Sequence, residues 1–143
     1  MPTSAEAGAG WAVDTSVAVA YLDEAHAAHE DCVRAVARRS PVLAGHAAFE
    51  CYSVLTRLPG SAQVSGLDAA RALNAAFGEP CWLAAEEQAE LLGALATRGV
   101  RGGSTYDALV GEAARRRGRT LLTRDRRAAR TYDLLGAAHE FVE

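Results

Sequence analysis

A single three-layer α/β/α domain with a short, mainly parallel central sheet is the fold this chain predicts. Short apolar runs of strand character alternate with longer runs of helical apolar spacing, which implies parallel pairing through crossover helices. The 143 residues are half hydrophobic and 23% charged, enough for one core and ordinary for a globular chain. No internal repeat or second domain is evident, and residues 1–10, MPTSAEAGAG, read as a flexible N-terminal extension ahead of a domain spanning 11–143.

The elements follow in order. Trp11 to Val13 predicts a short strand, and Asp14-Thr15-Ser16 caps a helix over Val17 to Leu22. A second helix over about Ala27 to Arg39 is stopped by Ser40-Pro41, and Val42 to Ala44 is a brief strand. After Gly45 a helix runs from about Ala47 to Leu58, ended by Pro59-Gly60. Gly66 to Phe77 places Leu67, Ala70, Leu73 and Phe77 on one helical face. Cys81 to Ala84 reads as a strand, Glu86 to Thr97 as a helix and Gly99 to Gly103 as a loop. Thr105 to Arg117 is a helix, Thr120 to Thr123 a strand, Arg126 to Tyr132 a short helix and His139 to Val142 a final edge strand.

Composition excludes several chemistries. All 15 basic residues are Arg, so a phosphate-binding loop that needs Lys and a Schiff-base lysine are both ruled out. Cys32, Cys51 and Cys81 are odd in number and lack CxxC spacing, which argues for reduced thiols rather than a disulfide framework or zinc ribbon. No 18-residue apolar run and no signal-peptide pattern occur, so a cytoplasmic protein without a membrane segment is expected. The net charge of -3 argues against wholesale polyanion binding, yet Arg115, Arg116, Arg117, Arg119, Arg124, Arg126, Arg127 and Arg130 share one stretch whose sole acid is Asp125. That stretch suits either a solvated helix face or contact with a phosphate backbone.

Four carboxylates carry the chemistry: Asp14 in WAVDTS, Glu50 in HAAFEC, Asp107 in STYDALV and Asp125 in TLLTRD. In an open parallel sheet, ligands bind beyond the carboxyl ends of the strands. Asp14 and Asp125 fall there directly, and Glu50 and Asp107 reach it from the first turns of their helices. Each also has a structural reading: Asp14 and Asp125 as helix caps, Asp107 as the acid of a capping box with Ser104, Glu50 as a solvated helix residue. Taken jointly, acids in apolar company call for a compensating cation, and all-oxygen donors select Mg²⁺ or Mn²⁺ over zinc. Such a site serves phosphoryl-ester cleavage, in which a metal lowers the pKa of a bound water and a second ion, about 3.5–4 Å away, stabilises the leaving oxygen. The histidines fall outside the acidic motifs: His26 and His29 read as an exposed helix face or a metal pair, and His46 shares a helix face with Glu50.

The segments VDTSVAVAYL, FE at Glu50, YDALVGEAA and LLTRDRRA, in this order, closely resemble a PIN-domain ribonuclease of the VapC toxin type, over essentially the whole chain after Gly10. The resemblance implies a PIN-like domain and a Mg²⁺- or Mn²⁺-dependent endoribonuclease with one or two ions, acting as toxin in a type II toxin-antitoxin pair. It also implies that a cognate VapB-type antitoxin neutralises the enzyme, and that the protein forms a homodimer. Asp14, Glu50, Asp107 and Asp125 match the family's catalytic, metal-binding acids. Thr15, Ser16 and Thr123 match hydroxyl positions assigned to hydrogen bonding of those carboxylates. Arg124, Arg126, Arg127 and Arg115 become candidate RNA contacts, and Leu55, Leu67 and Phe77 read as core residues, with dimer or antitoxin contact as the alternative. The chain departs from the pattern in offering no further acid shortly after Asp125 and in placing Tyr106, rather than a small residue, before Asp107. Two other functions compete. A receiver-like signalling module would need paired early acids and a late Lys, neither of which is present, whereas a catalytically silent PIN-like scaffold would not need all four acids.

Overall fold

The computed structural model describes residues 10–143, so the extension expected over 1–10 lies outside the described residues except for Gly10. Four strands, β1 (Trp11–Val13), β2 (Val42–Leu43), β3 (Thr120–Thr123) and β4 (His139–Phe141), form one sheet in the order β2-β1-β3-β4. Every pairing is parallel, with Val13 opposite Leu43 on one side and Leu122 on the other, and Leu122 opposite Glu140. Seven α-helices accompany it among the described residues: α1 (Thr15–Leu22), α2 (His29–Arg39), α3 (Ala47–Leu55), α4 (Gly66–Phe77), α5 (Ala85–Ala94), α6 (Ser104–Arg116) and α7 (Arg126–Leu135).

The layers follow from strand alternation, which sends successive side chains to opposite faces. Val13 and Leu122 pack with Val17, Cys32, Leu43, Cys51, Leu55, Leu73 and Phe77, which cover one face with α1 to α4. Ala12 and Leu121 face the other way, against Val110 and Ala114 of α6 and Ala128, Ala129 and Tyr132 of α7. A third cluster, Leu83, Leu91, Val100, Ala108, Ala113 and Leu135, holds α5 beneath α6 and α7. The chain leaves β1 toward β2 and later returns to place β3 on β1's other flank. The crevice beyond the carboxyl ends of β1 and β3 is therefore the point where the strand order reverses.

Three sequence-based expectations change. Cys81 to Ala84 is not a strand: only Cys81 bridges the sheet, opposite Ala44, and the chain then turns away into α5. The ladder does not extend to either side: Pro80 before the bridge lacks an N–H, and Leu83 beyond it drops into the third cluster. Helix α3 stops at Leu55 rather than Leu58, where Thr56 turns its hydroxyl back to the Tyr52 carbonyl, while α7 runs on to Leu135 until Gly136 takes φ 73°. Leu55 and Phe77 take the expected core role, Phe77 lying 5.4 Å from the Tyr21 ring, whereas Leu67 is exposed and keeps the alternative of an apolar contact.

Candidate active site

Asp14 ends β1 and caps α1, a position that turns its carboxylate into the reversal crevice. It is buried, and four donors fill it: Ser16 Oγ at 2.6 Å and the Val17 N–H at 3.3 Å reach Oδ1, while the Thr123 hydroxyl and the Tyr132 phenol, at 2.8 Å, reach Oδ2. Burial nevertheless pushes its carboxyl above the ordinary range, outweighing those hydrogen bonds. Burial likewise raises the Tyr132 phenol, so Tyr132 remains a donor throughout the physiological range.

The hydroxyls expected beside the acids form a connected set. Thr15 Oγ1 donates to Glu50 Oε1 at 2.7 Å, joining α1 to α3. Ser16 Oγ accepts from the Arg124 N–H at 2.8 Å while donating to Asp14, and Thr123 Oγ1 accepts from the Asp125 N–H at 3.1 Å. Asp125 caps α7 through Oδ1, which accepts from the N–H groups of Arg127 and Ala128, leaving Oδ2 without a donor among the described residues.

Asp107 differs from the other three. The capping box with Ser104 does not form, because Ser104 is already the first helical residue and no side chain caps α6. Among the described residues no donor reaches the Asp107 carboxylate. Burial raises it to about 6, and the charges of Asp125, Glu50 and Asp14 add to the rise. All four acids line one cavity of about 270 Å³, together with Thr15, Ser16, Arg57 and Tyr132.

The oxygen-only donor set fits a hard divalent cation. Glu50, Asp107 and Asp125 retain oxygens that no donor occupies, whereas Asp14 is anchored on both. Among the described residues no three acidic, His or Cys side chains converge closely enough to ligate one ion, so the acids line an open cleft rather than a closed cage.

The other expected residues separate. Arg124 and Arg127 flank Asp125, with Arg124 also donating to the Val142 carbonyl. Arg126 lies over the Phe141 ring, 4.2 Å from its centroid, and 3.5 Å from Glu143. Arg115 is not brought to the cleft. Eight residues beyond Asp107 on α6, it stands about 12 Å along the helix axis, where Arg115 and Arg116 both bind the buried Glu112 carboxylate and hold it near 2. Arg117 pairs with Glu87, and Arg119 donates to the Trp11 carbonyl. The dense arginine run is thus split between the two ends of the sheet. His26 Nδ1 accepts from the Ala28 N–H and His29 Nδ1 bonds the Ala20 carbonyl, so this pair fastens the α1–α2 turn instead of forming a metal pair.

Sequence reasoning missed Tyr132 and Arg57. Tyr132 shares the buried face of α7 with Ala128, and a polar tip on that otherwise apolar stripe was the available signal. Arg57 follows Glu50, Ser53 and Val54 at helical spacing into the same cavity, although α3 has just ended.

A PIN domain family model matches residues 12–134. The chain is 45% identical to ribonuclease VapC27 of Mycobacterium tuberculosis over 125 residues, covering 87% of this chain and 91% of that protein. It is 44% identical to ribonuclease VapC40 of the same species over 133 residues, covering 92% and 98%.

Proposed function

Since this chain belongs to the PIN-domain family, within its VapC-type ribonucleases, we propose that it is a metal-dependent endoribonuclease acting as the toxin of a type II toxin-antitoxin pair. The observation that carries the metal site is Asp107: a carboxylate that no donor reaches among the described residues, raised by burial and by three neighbouring acids, in a cavity it shares with Asp14, Glu50 and Asp125. A Mg²⁺ or Mn²⁺ ion there, or two, would be held by the acids Asp14, Glu50, Asp107 and Asp125 no more than two at a time, with water completing the coordination. When bound, such an ion supplies a nucleophilic hydroxide at neutral pH and charge stabilisation for the leaving oxygen.

The protein's own groups do the rest. Ser16, Thr123 and Tyr132 fix the orientation of the Asp14 carboxylate, and Thr15 fixes that of Glu50. Arg57 on one wall and Arg127 with Arg124 on the other bracket the cleft and suit the phosphates on either side of the scissile bond. Arg115 has no part in this reading. A VapB-type antitoxin, co-expressed in the cytoplasm, would neutralise the enzyme by occupying the cleft, and Leu67 would belong to a contact with it or with a second protomer.

Purified protein incubated with total RNA should cut it in Mn²⁺ and not in EDTA, and induced expression should arrest growth unless the antitoxin is supplied. Intact RNA in Mn²⁺ together with harmless induction would instead identify a silent binding scaffold.

A further inference from the structure

Beside the acidic cleft runs a row of aromatic rings that the cleft chemistry does not use. The chain has only three Phe, two Trp and four Tyr, yet Phe49 (63% exposed), Tyr106 (52%) and Trp82 (40%) stand open to solvent in this one row. His46 joins them. Its ring stacks on Tyr106 at 5.4 Å and 22°, lies 6.2 Å from Phe49, and Phe49 lies 5.8 Å from Trp82. Between His46, Phe49 and Trp82 opens a second cavity of about 140 Å³, floored by Gly45, Leu83 and Ala113. Its one amide is Gln88, whose Nε2 donates to the Leu83 carbonyl at 3.2 Å and whose oxygen is left as an acceptor.

The row is built rather than incidental. Trp82 is held by its indole N–H on Glu79 Oε2 at 2.8 Å and by Arg117, which clamps its carbonyl at 2.9 Å. The rest of the row stands on the same two helices as the cleft acids: His46 lies one helical turn before Glu50 at the start of α3, and Tyr106, which stacks on His46, is next to Asp107 on α6. Holding large rings exposed at the rim of a phosphodiester site has a direct use: single-stranded RNA is gripped by stacking unpaired bases on aromatic faces.

We propose that Tyr106, His46, Phe49 and Trp82 form a base-stacking track for single-stranded RNA flanking the cleft, with the cavity beside Phe49 receiving one unstacked base and Gln88 accepting from its N–H. This rests on the ribonuclease reading. The row and the cavity select for RNA that is unpaired next to the cut, so duplex substrates are poor ones.

The test is steady-state cleavage of a labelled single-stranded RNA in Mn²⁺ by full-length protein, with binding to the same RNA measured in EDTA. Phe49→Ala and Tyr106→Ala remove exposed rings and leave the core intact. Each should weaken RNA affinity about 10-fold, with the loss falling in KM rather than kcat, and Phe49→Trp should restore it. Abasic sites next to the cut should reproduce the loss with wild-type protein. Wild-type protein that cuts RNA alongside alanine variants of unchanged KM and affinity overturns the track and leaves the ribonuclease reading standing. A Phe49→Ala variant that dissociates from dimer to monomer with unchanged affinity per protomer also overturns it, assigning the row to a second copy of the chain. Failure of the wild type to bind or cut any RNA removes both.

Discussion

Asp107 illustrates how one residue's environment sets a measurable property. Its carboxyl sits near 6 in the folded protein, whereas an unperturbed Asp titrates near 3.9. A group raised on folding destabilises the folded state as pH climbs from about 4 to about 6, and the full penalty persists above that range. Asp107→Asn removes the charge, so in EDTA the variant should exceed the wild type in stability at pH 7.5 and match it at pH 4. The gain should be about 1–2 kcal/mol, less than the raw shift implies because the site is partly solvated. Added Mn²⁺ should stabilise the wild type more than the variant and erase the difference. Equal urea midpoints at both pH values would show that Asp107 carries no such strain. All four acids were legible in sequence by a different route, as carboxylates that end an apolar strand-like run or open a helix-like one. That no donor among the described residues reaches Asp107 was not legible, because the Ser104 spacing that suggests a cap is identical whether or not the helix starts one residue early.

Helices α6 and α7 are the elements that make Asp14 what it is. Tyr132 reaches Asp14 only because α7 packs tightly on α6 at Gly111, where an added Cβ would lie 2.9 Å from Tyr132 Cδ1 and 3.2 Å from Leu135 Cδ1. Gly111→Ala would gain about 1 kcal/mol of helix propensity. Overpacking a rigid buried contact costs about 1–3 kcal/mol, and the buried Tyr132 ring, tied at its hydroxyl, has no room to retreat. A net loss of up to about 2 kcal/mol is therefore expected, together with reduced cleavage as Asp14 loses its phenol donor. Thermal and urea unfolding read the first effect, and RNA turnover the second. Most elements were legible because apolar period and the residues Asp14, Ser40-Pro41, Gly66 and Asp125 mark their ends. The segment at Cys81 was not, since a four-residue apolar run reads alike whether it enters the sheet or packs beneath a helix. Nor could the sequence separate the arginines: adjacency along the chain joined Arg115 to Arg124, while α6 and β3 carry them to opposite ends of the sheet.

At the scale of the whole molecule, the parallel sheet order β2-β1-β3-β4 gathers acids from positions 14, 50, 107 and 125 at the single crevice where the chain reverses direction across the sheet. The surface around that crevice is organised by chemistry: arginines flank the acids, and the aromatic row leads away along α3 and α6. The buried Glu112 is paired with Arg115 and Arg116 at the opposite end, away from the acids. If these acids form one metal-dependent cleavage centre, removing the Asp14 charge stops cleavage without unfolding the protein. The decisive measurement compares RNA cleavage in Mn²⁺ by wild-type and Asp14→Asn protein, with folding of both verified by circular dichroism. The variant is expected to be folded, with cleavage reduced by at least about 100-fold, the scale of losing an essential charge-stabilising group at an active site. Cleavage by folded Asp14→Asn protein at the wild-type rate would contradict a shared metal-dependent centre.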